Sequence, residues 1–341
     1  MSNERGLLYS HLNSESYKFY FAEDNINLDV QLELDRLKND GLTIKGLLLE
    51  EYSWIRKLNV NWSFKFPKDI DIPIFSFISD YWLYTREFRH FIEANQIDIL
   101  ISMHQNSYGF IKKYISPTVV IKYLPFCVDT TRFSNEVKDI GVFNPNQIDD
   151  LNPLRNEIIK ALDTDVKNNL QGKVKYNRMD LEHPGKRKSK VSNKLTDVYG
   201  SLMSRSYFTV TCTNRFNISI RKYQEIACSG GIILGNLTEL PEHDHFRTIT
   251  HFVSMSNVNR RLADLDLPRR YDVDIYRRYY SPTNIASMLE NIMTDSNTLD
   301  EYRIAKAGRL FDYLSGFPTR TKLRLRLFNA FIRCAQYVSK V

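Results

Sequence analysis

The segment Ile218–Asn236, ISIRKYQEIACSGGIILGN, gathers the residue types from which an anion site is built. Arg221 and Lys222 are adjacent cations, Glu225 follows one helical turn later, and Gly230 and Gly231 precede an apolar run. The pattern reads as a short helix, a glycine turn and a buried strand. Cations suit a diphosphate, and a carboxylate can accept both protons of vicinal ribose hydroxyls. Glycines let the backbone approach a ligand closely. Each residue also has a plain reading. Arg221 and Lys222 compete for one phosphate role or are solvated charges, Glu225 is a surface helix residue, and Gly230 is a helix stop.

Two residues of the first half are candidates for proton transfer. Asp80 follows the apolar run IPIFSFI (Ile72–Ile78), at the strand end where open α/β sheets place ligands. It can act as a general base or as the N-cap of a following helix. His104 follows IDILISM (Ile97–Met103) at a second strand end, as an alternative base, an acceptor ligand or neither. Tyr81, Trp82 and Tyr84 can stack on a sugar face or a base, or pack internally.

The elements that must position these groups alternate in type. Tyr17–Ala22, Ile44–Glu50, Ile72–Ile78, Ile97–Met103 and Val119–Leu124 read as strands, with helices at Val30–Asn39, Thr85–Asn95 and Tyr108–Tyr114. Such alternation implies parallel βαβ units. After Pro125–Asp129 and a polar stretch, a second series begins. Strands are expected at Asp139–Phe143, Val174–Asn177, Tyr207–Cys212 and Phe246–Met255. Helices are expected at Leu154–Leu162, Thr196–Ser204, Ile285–Met293, Asp300–Leu314 and Thr319–Tyr337. The polar, basic segment Leu181–Ser192 reads as a loop, either a solvated charge run or a flap over phosphates.

The chain has 341 residues, 43% hydrophobic and 26% charged, which suffices for two cores. The expected organisation is a domain over 1–130, a second over 131–318 and a terminal helix over 319–341. A net charge of +7 favours anionic ligands without choosing among them. Cys127, Cys212, Cys228 and Cys334 are scattered without zinc-like spacing, so buried free thiols are expected and no metal. The start of the chain lacks the apolar core of a signal peptide, and no apolar run would span a bilayer. The expectation is a cytoplasmic protein, with peripheral contact to an anionic membrane or DNA through the basic segments 183–190 and 320–326.

Four stretches, in order, resemble the GT-B glycosyltransferases, closest to their CgeB-like and group-1 branches. LPFCVDTTRF (Leu124–Phe133) resembles the interdomain signature, and DIGVFNPNQIDDLNPLRNEII (Asp139–Ile159) the first strand and helix of the donor domain. RKYQEIACSGGIILGN (Arg221–Asn236) resembles the donor motif, and LDEYRIAKAGRLFDYL (Leu299–Leu314) a helix near the C-terminus. IFSFISDYWLY (Ile74–Tyr84) is similar to the stretch of T-even phage DNA β-glucosyltransferase that carries its catalytic Asp.

The resemblance implies an α/β fold of two Rossmann-like domains facing across a cleft, with the last helix returning to the first. It implies transfer of a sugar from a nucleotide-sugar, a UDP- or GDP-sugar, to a hydroxyl of a glycan acceptor, without cofactor or metal. Arg221, Lys222, Glu225, Gly230 and Gly231 would hold the donor. Two departures matter. Cys127 replaces the usual Gly, and Asn217 stands where retaining members carry the first of two glutamates. The expectation is therefore inversion, with Asp80 as base. Two alternatives are glycosylation of hydroxymethylated DNA bases and a non-catalytic module that binds a sugar nucleotide or glycan.

Overall fold

A computed structural model describes residues 8–12, 26–49, 62–65, 72–79, 81–82, 85–133, 136–145, 150–168, 176–178, 198–218, 220–239, 244–265 and 271–315. Asp80, Tyr84, the strand expected at Tyr17–Ala22, the basic loop Leu181–Ser192, the helix expected at Thr319–Tyr337 and Cys334 lie outside these residues. The fold is α/β, and among the described residues every strand pairing is parallel. Two compact units divide the chain. One takes in Met1–Leu12, His104–Asn106 and Pro125–Ser287, and the other Asn13–Met103, Ser107–Leu124 and Met288–Val341.

The second of these units holds a four-stranded sheet in the order β2 (Leu47–Leu49), β4 (Ile74–Ile78), β5 (Ile99–Ser102) and β6 (Val120–Tyr123). It also holds a parallel pair, β1 (Ile26–Asp29) with β3 (Trp62–Lys65). Every residue of β4 and β5 is buried, as expected of central parallel strands covered on both faces. The buried Asp98 carboxylate accepts from the Ile74 amide at 3.0 Å and clasps the starts of these two strands. The helix Val30–Asn39 starts at Asp29, whose side chain accepts from Leu32 N. It buries Val30, Leu34 and Leu37 along one stripe and ends near Gly41, which takes φ +79°.

The stretch expected as one helix over Tyr108–Tyr114 changes pitch. A 3₁₀ turn at Gln105–Ser107 leads into α-helix at Tyr108–Phe110 and a π-helical turn at Ile111–Ile115. The Lys112 ammonium closes this wide turn by donating to the carbonyls of Pro117 (3.0 Å) and Val119 (2.6 Å). The helix Ser296–Ser315 belongs to the same unit and packs on β6, where Lys122 pairs with Glu301 at 2.9 Å. Asp295 separates it from Pro282–Thr294 by accepting from Thr298 N and Oγ1.

The other unit carries five strands in the order β11 (Thr250–Phe252), β10 (Ile232–Gly235), β9 (Ser206–Val210), β7 (Ile140–Asn144) and β8 (Tyr176–Arg178). The strand expected over Phe246–Met255 is a correction. Asp244–Arg247 is a helical turn, and only Thr250–Phe252 is strand. Phe246 is drawn into an aromatic stack with Tyr276 and Tyr280, which holds its backbone away from the sheet. Cys127, Cys212 and Cys228 are buried free thiols.

The helix Lys222–Ser229 is buried from Tyr223 to Ser229. Its last carbonyls therefore need partners inside the protein. Gly230 takes φ +76° and returns its amide to Ile226 O. The Tyr271 hydroxyl lies 2.9 Å from both Ala227 O and Gly231 O. Arg277 Nε donates to Cys228 O at 2.9 Å and its Nη2 to Phe133 O at 2.7 Å. Lys138 Nζ donates to Ser206 O (2.8 Å) and Ser229 O (3.3 Å). Two cations thus sit at the negative end of the helix dipole.

Among the described residues, no helix is long and apolar enough to cross a membrane. Two stability changes are expected from this packing. Arg277→Ala removes charged hydrogen bonds to two carbonyls and should cost about 1.5–3 kcal/mol. Gly235→Ala places a Cβ 1.7 Å from Thr211 O, a backbone atom that cannot swing aside, and should cost at least about 1–3 kcal/mol. Chemical denaturation of both variants checks this, with an exposed-site change such as Val137→Ala as the neutral reference.

Candidate functional site

In the five-stranded unit, β7, β9 and β10 deliver their carboxyl ends to one edge. Asn144 closes β7 and is fully buried, Thr211–Asn214 continue β9, and Asn236 follows Gly235 at the end of β10. The Asn236 side chain ties two of these ends together. Its Oδ1 accepts from Thr213 N at 3.0 Å and its Nδ2 donates to Thr213 Oγ1 at 2.8 Å. Gly235 permits this, because any side chain there would strike the neighbouring backbone. Asn214 folds the next loop by accepting from Phe216 N (2.9 Å) and Ile218 N (3.1 Å) through Oδ1. Its Nδ2 is buried and finds no acceptor among the described residues.

Asn217 takes φ +56°, a left-handed conformation that Asn tolerates better than most residues with a side chain. Its amide donates to Asn214 O at 2.9 Å, and its carbonyl accepts from the Asn106 side chain. The backbone at this position therefore has a structural reason to carry Asn.

A helix that joins two parallel strands runs back against them, so its first turn lies at their carboxyl edge. Arg221 and Lys222 open the helix Lys222–Ser229 at that edge, and Glu225 lies one turn in. Glu225 is 6% exposed. Its Oε2 accepts from the Tyr199 hydroxyl at 2.7 Å and its Oε1 pairs with Arg221 Nε at 2.8 Å. Burial by itself would raise the pKa of this carboxyl group. The charges of Arg221 and Lys222 and the hydrogen bonds from Tyr199 and Arg221 outweigh it, and the pKa lies below its ordinary 4.5. Gln224 is 4% exposed, and its Oε1 accepts from no donor among the described residues.

The structure separates the residues singled out in the sequence. Arg221, Lys222 and Glu225 meet at the carboxyl edge. Gly230 and Gly231 lie at the far end of the same helix, on the opposite edge of the sheet. There Gly230 is the helix stop, and the space beside its Cα is taken by Val273 and Lys138. His104 is buried with its ring 5.2 Å from Phe126, edge to face. Tyr81 is a packing residue, fully buried 5.0 Å from Trp82 and 5.1 Å from Phe110, and burial pushes its phenol pKa up.

The residues that sequence reasoning missed are Tyr199, Gln224, Asn214, Asn236 and Gly235. Tyr199 carries no local signal, since it reaches Glu225 only through the fold. Gln224 was legible only as a neutral polar residue beside Glu225 in the segment YQEIA. Chemically, the edge offers cations at a helix start, a buried ionised carboxylate and buried amides able to donate and accept. Among the described residues no group of three or more His, Cys, Asp or Glu is placed to hold a metal ion.

No protein-family model matches the chain, and no curated protein matches it. Solved structures that it resembles include the GtfA/B complex, at 9% identity and a TM-score of 0.43 over 83% of this chain and 64% of that one. TarM aligns at 10% identity and a TM-score of 0.40 over 76% of this chain and 54% of its own. HepE from Anabaena, in complex with UDP, aligns at 11% identity and a TM-score of 0.37 over 72% and 73%. The chain thus spans 64% and 54% of the lengths of the first two.

The lowered Glu225 pKa sets a sign for acid stability. The folded state holds its proton less tightly than the unfolded chain, so stability is complete above the unfolded value near 4.5 and falls as pH drops through the folded value. Glu225→Gln should be less stable at neutral pH and should flatten the acid limb relative to wild type. Denaturant midpoints measured from pH 7 to pH 3 check this, and parallel limbs in the two proteins would contradict it.

Proposed function

We propose that this chain is a GT-B-type glycosyltransferase, moving a sugar from a nucleotide-sugar donor to a hydroxyl of a glycan acceptor. The observation that carries this reading is the meeting of Arg221, Lys222 and the buried Glu225 at the carboxyl edge of a sheet whose described strands are parallel. The order of the four sequence stretches from Leu124 to Leu314 agrees with it.

The donor's diphosphate lies against Arg221 and Lys222. As the anomeric carbon separates from the phosphate oxygen, negative charge grows on the leaving nucleoside diphosphate. Fixed cations and a helix N-terminus stabilise that charge where it develops. The donor site is built from Arg221, Lys222 and Glu225, with Gly230 and Gly231 shaping the segment that carries them. A UDP- or GDP-sugar fits this chemistry, and the charge is met by side chains without a metal ion.

Asp80 is the base in this reading. The acceptor oxygen attacks the anomeric carbon from the face opposite the leaving group, and its proton passes to the Asp80 carboxylate. One C–O bond forms, one breaks, and the configuration inverts. The fully buried strand Ile74–Ile78 leads the chain to the carboxyl edge of its own sheet just before Asp80. His104 is the alternative base.

A panel of UDP- and GDP-sugars tests the proposal by thermal stabilisation and by slow donor hydrolysis. A donor at about 100 times its Kd should stabilise the fold by roughly 2.7 kcal/mol. Asp80→Ala should keep that stabilisation and lose at least about a hundredfold in turnover. Absence of stabilisation by every sugar nucleotide would sink the donor reading. Undiminished turnover in Asp80→Ala would move the base elsewhere, with His104→Ala the next variant.

A further inference from the structure

An aromatic ring can cover the C–H face of a sugar while its hydroxyl stays wet. Tyr81, which follows β4, is fully buried, whereas Tyr108, which follows β5, is 60% exposed. Tyr108 opens the helical segment that returns from β5 to β6, so its turn lies at the carboxyl edge of the four-stranded sheet. β4 and β5 are neighbours in that sheet, and the turn packs on the loop after β4, where the Tyr81 ring meets Phe110 at 5.1 Å. Tyr81 adjoins Asp80 in the chain. The exposed ring thus belongs to a segment that touches the immediate chain neighbour of the proposed base, and both lie in one unit.

The ring is held and its flank is bare. The Lys112 ammonium lies over it, 5.6 Å from the centroid, and is itself fixed by donating to the carbonyls of Pro117 and Val119. Gly109 comes next. Glycine inside a helix is less stable than alanine, and Gly109 does not take the left-handed backbone that would require it. Among the described residues, a Cβ on Gly109 would meet nothing beyond its own helix and chain neighbours within 4 Å. Neither backbone conformation nor packing within the chain accounts for glycine at this position.

We infer that Tyr108 and Gly109 form the platform for the acceptor sugar. The Tyr108 ring stacks on the C–H face of a pyranose, and the bare backbone of Gly109 admits the rest of that sugar. This rests on the glycosyltransferase reading and names the residue that selects its acceptor, a part for which the sequence offered Tyr81, Trp82 and Tyr84.

Two measurements on the full chain separate acceptor from donor. One is binding to a printed array of oligosaccharides ending in glucose, galactose, mannose or N-acetylhexosamines. The other is thermal stabilisation by the panel of UDP- and GDP-sugars. Tyr108→Ala should weaken glycan binding by roughly 2- to 10-fold, the worth of one stacked ring. Tyr108→Phe should keep it, and Gly109→Leu should block it, since the added side chain fills the open flank. Tyr108→Trp should bind and report the contact, its indole emission moving to shorter wavelength as the glycan covers it. The wild-type spectrum, from Trp54, Trp62 and Trp82, is the baseline. Stabilisation by the donor should persist in each variant.

Equal glycan binding by wild type and Tyr108→Ala would overturn the inference, as would an unmoved Tyr108→Trp emission on a bound glycan. Donor stabilisation lost together with glycan binding would mark Tyr108 as merely structural and overturn it too. Wild type that is stabilised by a sugar nucleotide yet binds no glycan on the array overturns the platform and leaves the donor reading standing. Glycan binding that depends on Tyr108 without stabilisation by any sugar nucleotide keeps the platform and removes the transferase reading. Wild type that does neither removes both.

Discussion

The burial of one short helix constrains the whole carboxyl edge of the five-stranded unit. Lys222–Ser229 is enclosed from its second residue to its last, so no water reaches its terminal carbonyls to satisfy them. The chain meets this with Gly230 in the left-handed region, the Tyr271 hydroxyl and the side chains of Arg277 and Lys138. These partners come from three different parts of the sequence. The helix is thereby fixed in depth and rotation against the sheet, and what stands on its first turn is fixed with it.

That rigidity divides a single motif between two tasks. The glycine end of the segment is spent on stopping the helix and turning into β10. The cationic end faces the carboxyl edge, where Asn236, Thr213 and Asn214 knit the neighbouring loops together. Placing Glu225 inside the protein is costly unless its charge is met. The Arg221 guanidinium and the Tyr199 hydroxyl meet it and leave the carboxyl group a stronger acid than usual.

Much of the architecture was legible residue by residue. IPIFSFI and IDILISM are too uniformly apolar for a strand with one wet face, and both proved to be buried parallel strands. Val30, Leu34 and Leu37 fall at helical spacing between an Asp cap and a glycine stop, and the helix follows. The failures have physical causes. Phe246 opens a strand-like run, yet it stacks on Tyr276 and Tyr280 and stays in the helical turn Asp244–Arg247, so the strand begins only at Thr250. Tyr108–Tyr114 looks like plain helix, but Lys112 reaches two carbonyls beyond it and widens the last turn.

The candidate site was legible only in its local part. Arg221, Lys222 and Glu225 are neighbours in sequence, and helical periodicity alone places Arg221 and Glu225 on one face, four residues apart. The sequence by itself determined the parallel α/β class, most strands of the four- and five-stranded sheets and the shared helical face of Arg221 and Glu225, because such features depend on local spacing. The tertiary structure alone decided that Glu225 is buried and which hydroxyl meets it. It also decided that Gly235, rather than Gly230 or Gly231, lies at the same edge as the charges. Those outcomes turn on groups brought together from Tyr199, Thr211 and Asn236, and contact across a sheet leaves no periodic trace along the chain.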